Sequence, residues 1–452
     1  MKERPLIASG FKQMMIPKTN QPYELPSNWC WIKHNGILDI SGGAQPDKSF
    51  FIDEPQEGYI QLFQTRDYGE HPMPVYIPEK YATKTTKEGD ILLARYGGSL
   101  GKVFKAHTGA YNVALAKVIK LYPNVINDEY LYLYYLSDFY QDFCIKAGNG
   151  RSAQAGFNRQ DMEKLIFPLP PLTEQQRIVD RIESLFTKLD EAKEKAQAVV
   201  DGFEDRKAAI LHKAFTGELT EKWRYNNGVT LESWNTENLE ESFDVSGGIQ
   251  KQPSRMPDKN PVPYITVANV YRNRIDITNL RYFEVFAGEL EKLQLKYGDL
   301  LIVEGNGSEN EIGRCAMWRN ELPVCIHQNH IIRVRRKNES VLPEYVLYYL
   351  NSSAGRQIMK SRAKTTAGLY NLSTGKIKTI PVPFASLGEQ KEIVRMLDYL
   401  MEKEQQVKDK AEIAIEEIDN MKKSILSRAF RGELGTNDPN DESAIELLKR
   451  IL

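Results

Sequence analysis

Two glycine-rich strings come nearest to nucleotide chemistry: GNGRSA (148–153) fits G-x-G-x-x-A, and GNGSEN (305–310) nearly fits G-x-G-x-x-G. Such loops cradle pyrophosphate when they follow a buried strand and open a helix within a βαβ unit. Neither string has that setting, so both are expected to be Gly-Asn loops between strands. His327 and His330, in CIHQNHIIRV, are three apart, a spacing that suits a metal pair on a helix. On a strand they face opposite sides, and turn and strand roles are expected for them. Pro-Asp pairs at 46–47 and 257–258 match the start of nuclease carboxylate motifs, but the Glu191-Ala192-Lys193 follow-up falls in a helical segment. No Asn-Pro-Pro-aromatic tetrapeptide, methyl-donor loop or Ser/His/Asp constellation can be assembled. Cys30, Cys144, Cys315 and Cys325 make no close CxxC pair, so reduced thiols in a cytoplasmic protein are expected, with no metal or cofactor.

The remaining chemistry is polar and sits in loops. ARYGGSLGK (94–102) and VEGNGSENEIGR (303–314) occupy matching places, each after a Gly-Asp-aliphatic strand. KAGNGRSAQAGFN (146–158) and SRAKTTAGLYN (361–371) also correspond. Arg, Lys, Asn, Gln and Ser side chains bond base edges and phosphates, and glycines let a backbone approach closely. The candidate DNA contacts in the first half are Arg95, Tyr96, Ser99, Lys102, Asn149, Arg151, Ser152 and Gln154. Those in the second half are Asn306, Ser308, Asn310, Arg314, Lys364, Thr365 and Thr366. Taken singly each loop is ordinary; their repetition in both halves is what points to a function. Formal net charge is only −1, but the charges are segregated. Between Ile249 and Pro381 there are 20 Lys/Arg against 12 Asp/Glu, and between Cys30 and Pro168 there are 15 against 16. An even electrostatic grip along the whole chain is excluded.

The elements that must hold these loops come in two copies. Ile37-Leu38-Asp39-Ile40-Ser41-Gly42-Gly43-Ala44-Gln45 echoes Ser242-Phe243-Asp244-Val245-Ser246-Gly247-Gly248-Ile249-Gln250, 205 residues later. Trp29 and Trp234 keep that offset; Gly89-Asp90 and Gly298-Asp299 lie 209 apart, and Glu129-Tyr130 and Glu344-Tyr345 lie 215 apart. AILHKAFTGELT (209–220) matches SILSRAFRGELG (424–435). Each copy opens with short β-branched and aromatic runs, YIQLF, DILLARY and ALAKVIKLY in one, YITVANV, DLLIVEG and HIIRVR in the other, which read as strands. EYLYLYYLSDFYQDFCIKA and EYVLYYLNSSAGRQIMKSR then read as amphipathic helices.

A proline junction follows in each copy, PLPPLTEQQRIV (168–179) and PVPFASLGEQKEIV (381–394). The prolines keep the incoming chain extended, and Thr173 and Ser386, with Gln176 and Glu389 three residues on, read as capping boxes. Gly388 weakens the second start. A heptad seam continues through Ile178, Ile182, Leu185, Leu189, Val199 and Phe203 in the first copy, and through Ile393, Leu397, Leu400, Val407, Ile418 and Ile425 in the second. Glu404 is its one break. Steps of 3.5 residues over some 40 residues, about 60 Å at 1.5 Å each, make a coiled-coil seam, and the partner expected for each stripe is its own copy.

At 452 residues, 41% apolar and 27% charged, the chain is a multidomain globular protein. It has no apolar run long enough to span a bilayer, and its first residues lack the apolar core of a secretion signal. The fold class expected is α+β: two β-rich mixed α/β domains from a tandem duplication, joined by two long helices in a coiled coil. The divisions are an N-terminal tail (1–22), a first domain (23–168), a central helix (169–219), a linker with the second domain (220–381), a C-terminal long helix (382–434) and a tail (435–452).

The repeated pattern of β-rich domain, PLPPLTEQQRIV, heptad helix and AFTGELT resembles the specificity subunit of type I restriction–modification systems, over nearly the whole chain. The segment 218–224 and the tail SAIELLKRIL are similar as well. The resemblance implies a noncatalytic, cytoplasmic protein whose two target recognition domains each read half of a bipartite asymmetric site on double-stranded DNA. It further implies that the two long helices pair antiparallel and set the spacer, that two methyltransferase subunits dock on them, and that an endonuclease/translocase subunit joins them. On the residues alone two other readings stay open: a nuclease or methyltransferase with an unrecognised site, and a coiled-coil scaffold for protein interactions.

Overall fold

The proline junctions are strands. Ile166–Leu169 pairs antiparallel with Cys30–Lys33, and Pro381–Phe384 pairs antiparallel with Asn235–Asn238. Prolines are tolerated there because each ribbon has only two strands, leaving an edge on which a missing N–H costs no ladder bond. The computed structural model describes residues 13–149, 156–308, 311–366 and 369–451, apart from the side chains of 149, 306, 364–366, 369 and 451. It divides into two units, Met1–Ala196 with Ile413–Leu452, and Gln197–Glu412.

In the first unit, Leu38–Gly42, Leu115–Lys120, Ile91–Ala94 and Val103–Lys105 form a four-stranded sheet in that order. A second sheet orders Tyr76–Pro78, Tyr59–Phe63, Gly109–Tyr111 and Thr85–Thr86. The second unit repeats the first sheet as Phe243–Gly247, Ile331–Arg336, Leu300–Val303 and Cys315–Met317. A further sheet of this unit has three strands, Arg281–Glu284, Pro261–Ile265 and Ile326–His327. The expected strands are thus present and the mixed α/β class holds. The shared Ser-Gly-Gly string has a steric cause in both units. A Cβ on Gly43 would lie 2.0 Å from the Asn112 carbonyl oxygen, and one on Gly248 would lie 2.2 Å from that of His327.

Each expected aromatic helix is in fact two. Asp128–Leu136 and Asp138–Asn149 break at Ser137, and Pro343–Asn351 and Ser353–Arg362 break at Ser352. Each serine hydroxyl turns back to a carbonyl of the first helix, that of Tyr134 or Tyr349, at 2.6 Å. This local bond competes with helix propagation. The first helix of each pair clasps the junction: Tyr130 and Tyr134 donate to the carbonyls of Pro168 and Ile166, and Tyr345 and Tyr349 to those of Pro383 and Pro381.

The long helices run from Leu172 to Asp201, continuing as Phe203–Phe215, and from Leu387 to Ala429. Gly202 interrupts the first only locally, since its N–H still bonds Ala198 and its carbonyl still accepts from Arg206. Within the first unit Lys193 pairs with Asp419 and Asp190 with Lys422, so stepping back along one helix steps forward along the other. Within the second unit Arg206 pairs with Glu404 at 2.7 Å, and the Lys408 ammonium lies over the Phe203 ring. The copies therefore pair antiparallel, and the heptad break at Glu404 is filled by a cross-helix ion pair. Ile178, Ile182, Phe203, Ile393, Leu397 and Ile418 are buried; Leu185, Leu189, Val199, Leu400 and Ile425 are half-buried. Val407 is a correction: at 47% exposure it lies off the seam. Alanine positions such as Ala411, which is buried, allow close approach there and leave the larger neighbour outside.

The helix starts differ from the capping-box expectation. The first helix begins at Leu172, so Thr173 lies inside its first turn. Ser386 does cap the second, accepting from the Glu389 N–H. Glu389 itself does not turn back to the cap. It is fully buried and accepts from Trp234 Nε1, Thr220 Oγ1 and Arg224 Nη1 at 2.9, 2.6 and 2.6 Å. Its counterpart Glu174, also fully buried, accepts from Trp29 Nε1, Asn437 Nδ2 and Thr436 Oγ1 at 2.7, 2.8 and 3.3 Å. The next residue is a buried glutamine in both copies. Gln175 accepts from the Asn127 N–H and donates to the carbonyls of Val125 and Pro170; Gln390 accepts from the Leu342 N–H and donates to those of Ser340 and Ala385. The last residues, Ala444–Ile451, form a helix whose Ala444, Leu447 and Leu448 join the first unit's core beside Phe430.

Replacing Glu389 by alanine strands the Arg224 guanidinium, which is only 9% exposed, and is expected to cost about 3–5 kcal/mol. Glu174→Gln keeps an acceptor for neutral donors and should cost about 1–2 kcal/mol. Urea unfolding of the two variants beside the parent checks that order; equal losses would contradict it.

Candidate nucleic-acid interface

In each unit the fold brings two of the glycine-rich loops together through backbone pairing. In the first, Tyr96 bridges Gly156 antiparallel and the Phe157 N–H bonds the Arg95 carbonyl at 3.2 Å. Only glycine fits at 156, where a Cβ would lie 2.3 Å from the Tyr96 ring. In the second, Gly305–Asn306 pairs with Leu369–Asn371, which pairs in turn with Lys364–Thr366. Asn306, Lys364, Thr365 and Thr366 thus share one small sheet, with Ser308 just beyond it. Arg151, Ser152, Gln154 and Asn310 lie outside the described residues, and Asn149 is placed only as the last residue of its helix.

Two of the expected contacts are held in the same way. Arg95 Nη2 donates to the Val113 carbonyl at 2.7 Å, and its guanidinium carbon lies 4.8 Å from the Tyr96 ring centre. Arg314 Nη2 donates to the Val267 carbonyl at 3.1 Å, and its guanidinium lies 5.8 Å from the Tyr271 ring centre. Both Nε atoms are buried with no hydrogen-bond partner among the described residues. These arginines are pre-oriented by carbonyl and ring, which lowers the entropy a contact costs. Ser99 is half-buried, and Lys102 and Ser308 are exposed.

Sequence reasoning missed the hairpin Val270–Tyr271/Arg274–Ile275 in the second unit. Asn273 takes φ +61° at its tip, its N–H bonds the Cys315 carbonyl, and its side chain accepts from Asn351 Nδ2 at 2.7 Å. The signal was the string YRNR, two arginines around a residue tolerant of left-handed backbone. The histidines keep to the expected roles. His327 is a fully buried strand residue facing the Ile331 carbonyl at 3.0 Å, while His330 is exposed beside Glu304. All four cysteines are free and buried, and burial pushes the thiols of Cys30 and Cys325 up to about 12. No helix among the described residues is long and apolar enough to cross a membrane.

Residues 26–200 and 231–417 match a family model described as the type I restriction modification DNA specificity domain. The chain is 25% identical over 450 residues to the type I restriction enzyme EcoKI specificity subunit of Escherichia coli K12, covering 95% of this chain and 96% of that one. It is 24% identical over 432 residues to the StySPI specificity subunit of Salmonella potsdam, covering 91% and 90%. Among solved structures, a chain from a type I R-M system study of complex assembly and conformational transition aligns with TM-score 0.67 at 19% identity, covering 91% of this chain and all of that one. The HsdS subunit from Thermoanaerobacter tengcongensis aligns at TM-score 0.58 and 18% identity, covering 92% and 100%.

Two buried histidines, one in each unit, make the fold acid-sensitive. Burial lowers His34 to about 3, against a partial rise from Asp39, and lowers His327 to about 4. Both values lie below the unfolded value of about 6.5, so the unfolded chain takes the proton first as pH falls. Stability is then full above about pH 6.5 and drops towards pH 4 by about 1.4 kcal/mol per pH unit for each histidine. Urea titrations at a series of pH values should show this fall, and His34→Gln should remove one histidine's share of the slope.

Proposed function

The chain belongs to the type I restriction modification DNA specificity family, and from that we propose that it supplies DNA sequence recognition to a type I restriction–modification complex without carrying out the chemistry itself. The observation that carries this reading is the duplicated meeting of two polar, glycine-rich loops, 94–102 with 156–158 and 303–314 with 364–371. Domains 23–168 and 220–381 each read one half of a bipartite asymmetric site on double-stranded DNA. Arg95, Tyr96, Ser99 and Lys102, with Asn149, Arg151, Ser152 and Gln154, serve one half-site. Asn306, Ser308, Asn310 and Arg314, with Lys364, Thr365 and Thr366, serve the other. The loops differ between the copies, so the half-sites differ.

The helical segments 169–219 and 382–434 set the length of the unread spacer and dock methyltransferase subunits, with a restriction subunit joining them; the tails are 1–22 and 435–452. A noncatalytic role assigns phosphate contacts partly to those partners, which suits the near-neutral charge of the chain. The protein works in the cytoplasm, where its DNA is.

Mapping modified bases in the host genome, with and without this gene, tests the reading. Loss of a bipartite methylated motif is expected, and an unchanged methylome overturns it. Exchanging residues 23–168 for another family member's domain should rewrite one half of that motif only. Inserting four residues after Lys188 should change the spacer or abolish modification; an active complex with unchanged spacing sinks the helix role. Turnover of DNA by the purified chain with Mg²⁺ or a methyl donor would show that it is an enzyme after all.

A further inference from the structure

Four arginines of the second unit gather around the Tyr271 hairpin. The Arg274 guanidinium lies 4.6 Å from the centre of the Tyr271 ring, and Arg314 lies 5.8 Å from the same centre. Arg272 reaches Asn351 Oδ1 at 3.5 Å, at the end of the helix Pro343–Asn351, and Arg356 is in the helix that follows. Burial holds the Arg272 pKa below its ordinary value; Glu311 offsets part of that, and the nearby Arg356 and Arg314 charges push it further down. Among the described residues two carboxylates come near the group. Glu311 lies 3.6 Å from Arg314, and Asp276 already accepts from the Thr278 N–H and hydroxyl. Arg274 and Arg356 are exposed, with no side-chain hydrogen bond or ion pair among the described residues.

Arg274 and Arg356, exposed beside Arg272 and Arg314 and without an ion-pair partner among the described residues, are neighbouring like charges that a bound anion would complete. The frame around them is rigid: Asn273 is bonded at both backbone and side chain, and Asn351 joins the hairpin to the Cys315 carbonyl. Guanidinium groups pair with phosphate through two parallel N–H donors, and a ring against one face leaves that donor edge available. The first unit lacks the device. At the matching place Arg66 is paired with Asp67, and Tyr68 is stacked on Phe104 at 4.5 Å.

We propose that the Tyr271–Arg274 hairpin, with Arg314 and Arg356, is a phosphate-binding cradle that grips the DNA backbone beside the half-site read by the second domain. It rests on the reading of that unit as a DNA-recognition domain, and it makes the grip of the two domains unequal. The second anchors electrostatically, and the first depends on hydrogen bonds to bases. Phosphate contacts of this kind fix register without carrying sequence information.

The test is binding of the full chain, with its methyltransferase partner, to a duplex carrying the methylated motif, from about 0.05 to 0.3 M salt. Arg274→Gln and Arg356→Gln should each lower the slope of log affinity against log salt by about 1 and weaken binding on the order of tenfold near 0.1 M. The ranking of altered second half-sites should stay as in the parent, and Arg274→Lys should retain the slope. An unchanged slope in both glutamine variants overturns the cradle, as does a changed base preference at constant slope, which would make these residues base readers. A parent complex that binds without preference for the motif overturns the recognition reading, a distinct result seen before any variant is measured.

Discussion

One buried carboxylate at the start of each long helix holds the rest of its unit in place. Glu174 and Glu389 are fully buried, and an ionised carboxylate in that position is tolerable only if its oxygens are met by donors. The donors come from parts of the chain far apart in sequence. In the first unit they are Trp29, at the entry to the globular domain, and Thr436 and Asn437, just past the AFRGELG string. In the second they are Trp234, and Thr220 and Arg224 at and after AFTGELT. A carboxylate that must collect donors from two segments fixes where both go relative to its own helix, three segments in all. The neighbouring glutamine adds a fourth, the turn that leads into the aromatic helix. The Glu-Gln pair therefore works as a fold determinant, where its spacing alone suggests a helix cap.

The tyrosine clasps follow from the same need. A proline-rich ribbon leaves carbonyls that no third strand can satisfy, and burying them unbonded would cost about 1–3 kcal/mol each. Tyr130, Tyr134, Tyr345 and Tyr349 meet that need from one face of their helices, four residues apart, while their rings fill the core. Four-residue spacing puts both hydroxyls on one helical face, so the length of the helix before its serine break is set by the ribbon it must clasp.

Much of this frame was legible in the residues. The duplication, the strands, the extended junctions and the heptad seam all follow from period and offset, because those signals record which face of an element is buried; the antiparallel direction came from the family resemblance. What escaped was chemistry that pattern cannot rank. Glu389 fits a capping box as well as it fits a buried ion pair, and only the arrival of Arg224 and Trp234 decides between them. Val407 sits at a heptad position, yet buried Ala411 and the Arg206–Glu404 pair set the local approach of the helices instead. The serine breaks were hidden because Tyr and Leu carry the helical period straight through them. The loops were recognisable as equivalent pairs, but not that backbone bridges join them, since a two-residue bridge leaves no periodic trace.

The division between what is repeated and what is not has a physical logic. Interactions that position the loops, the carboxylate hubs, the tyrosine clasps and the close glycines at 43 and 248, recur at fixed offsets because each depends on backbone geometry shared by the two copies. The loops beyond that frame carry no such constraint, and their side chains differ: Arg95 and Tyr96 are adjacent in one copy, while Arg314 and Tyr271 come from separate segments in the other. A guanidinium stacked on a tyrosine and tied to a valine carbonyl is reached in both copies by different routes. A frame that fixes loop position while leaving loop content free can change what it reads without refolding.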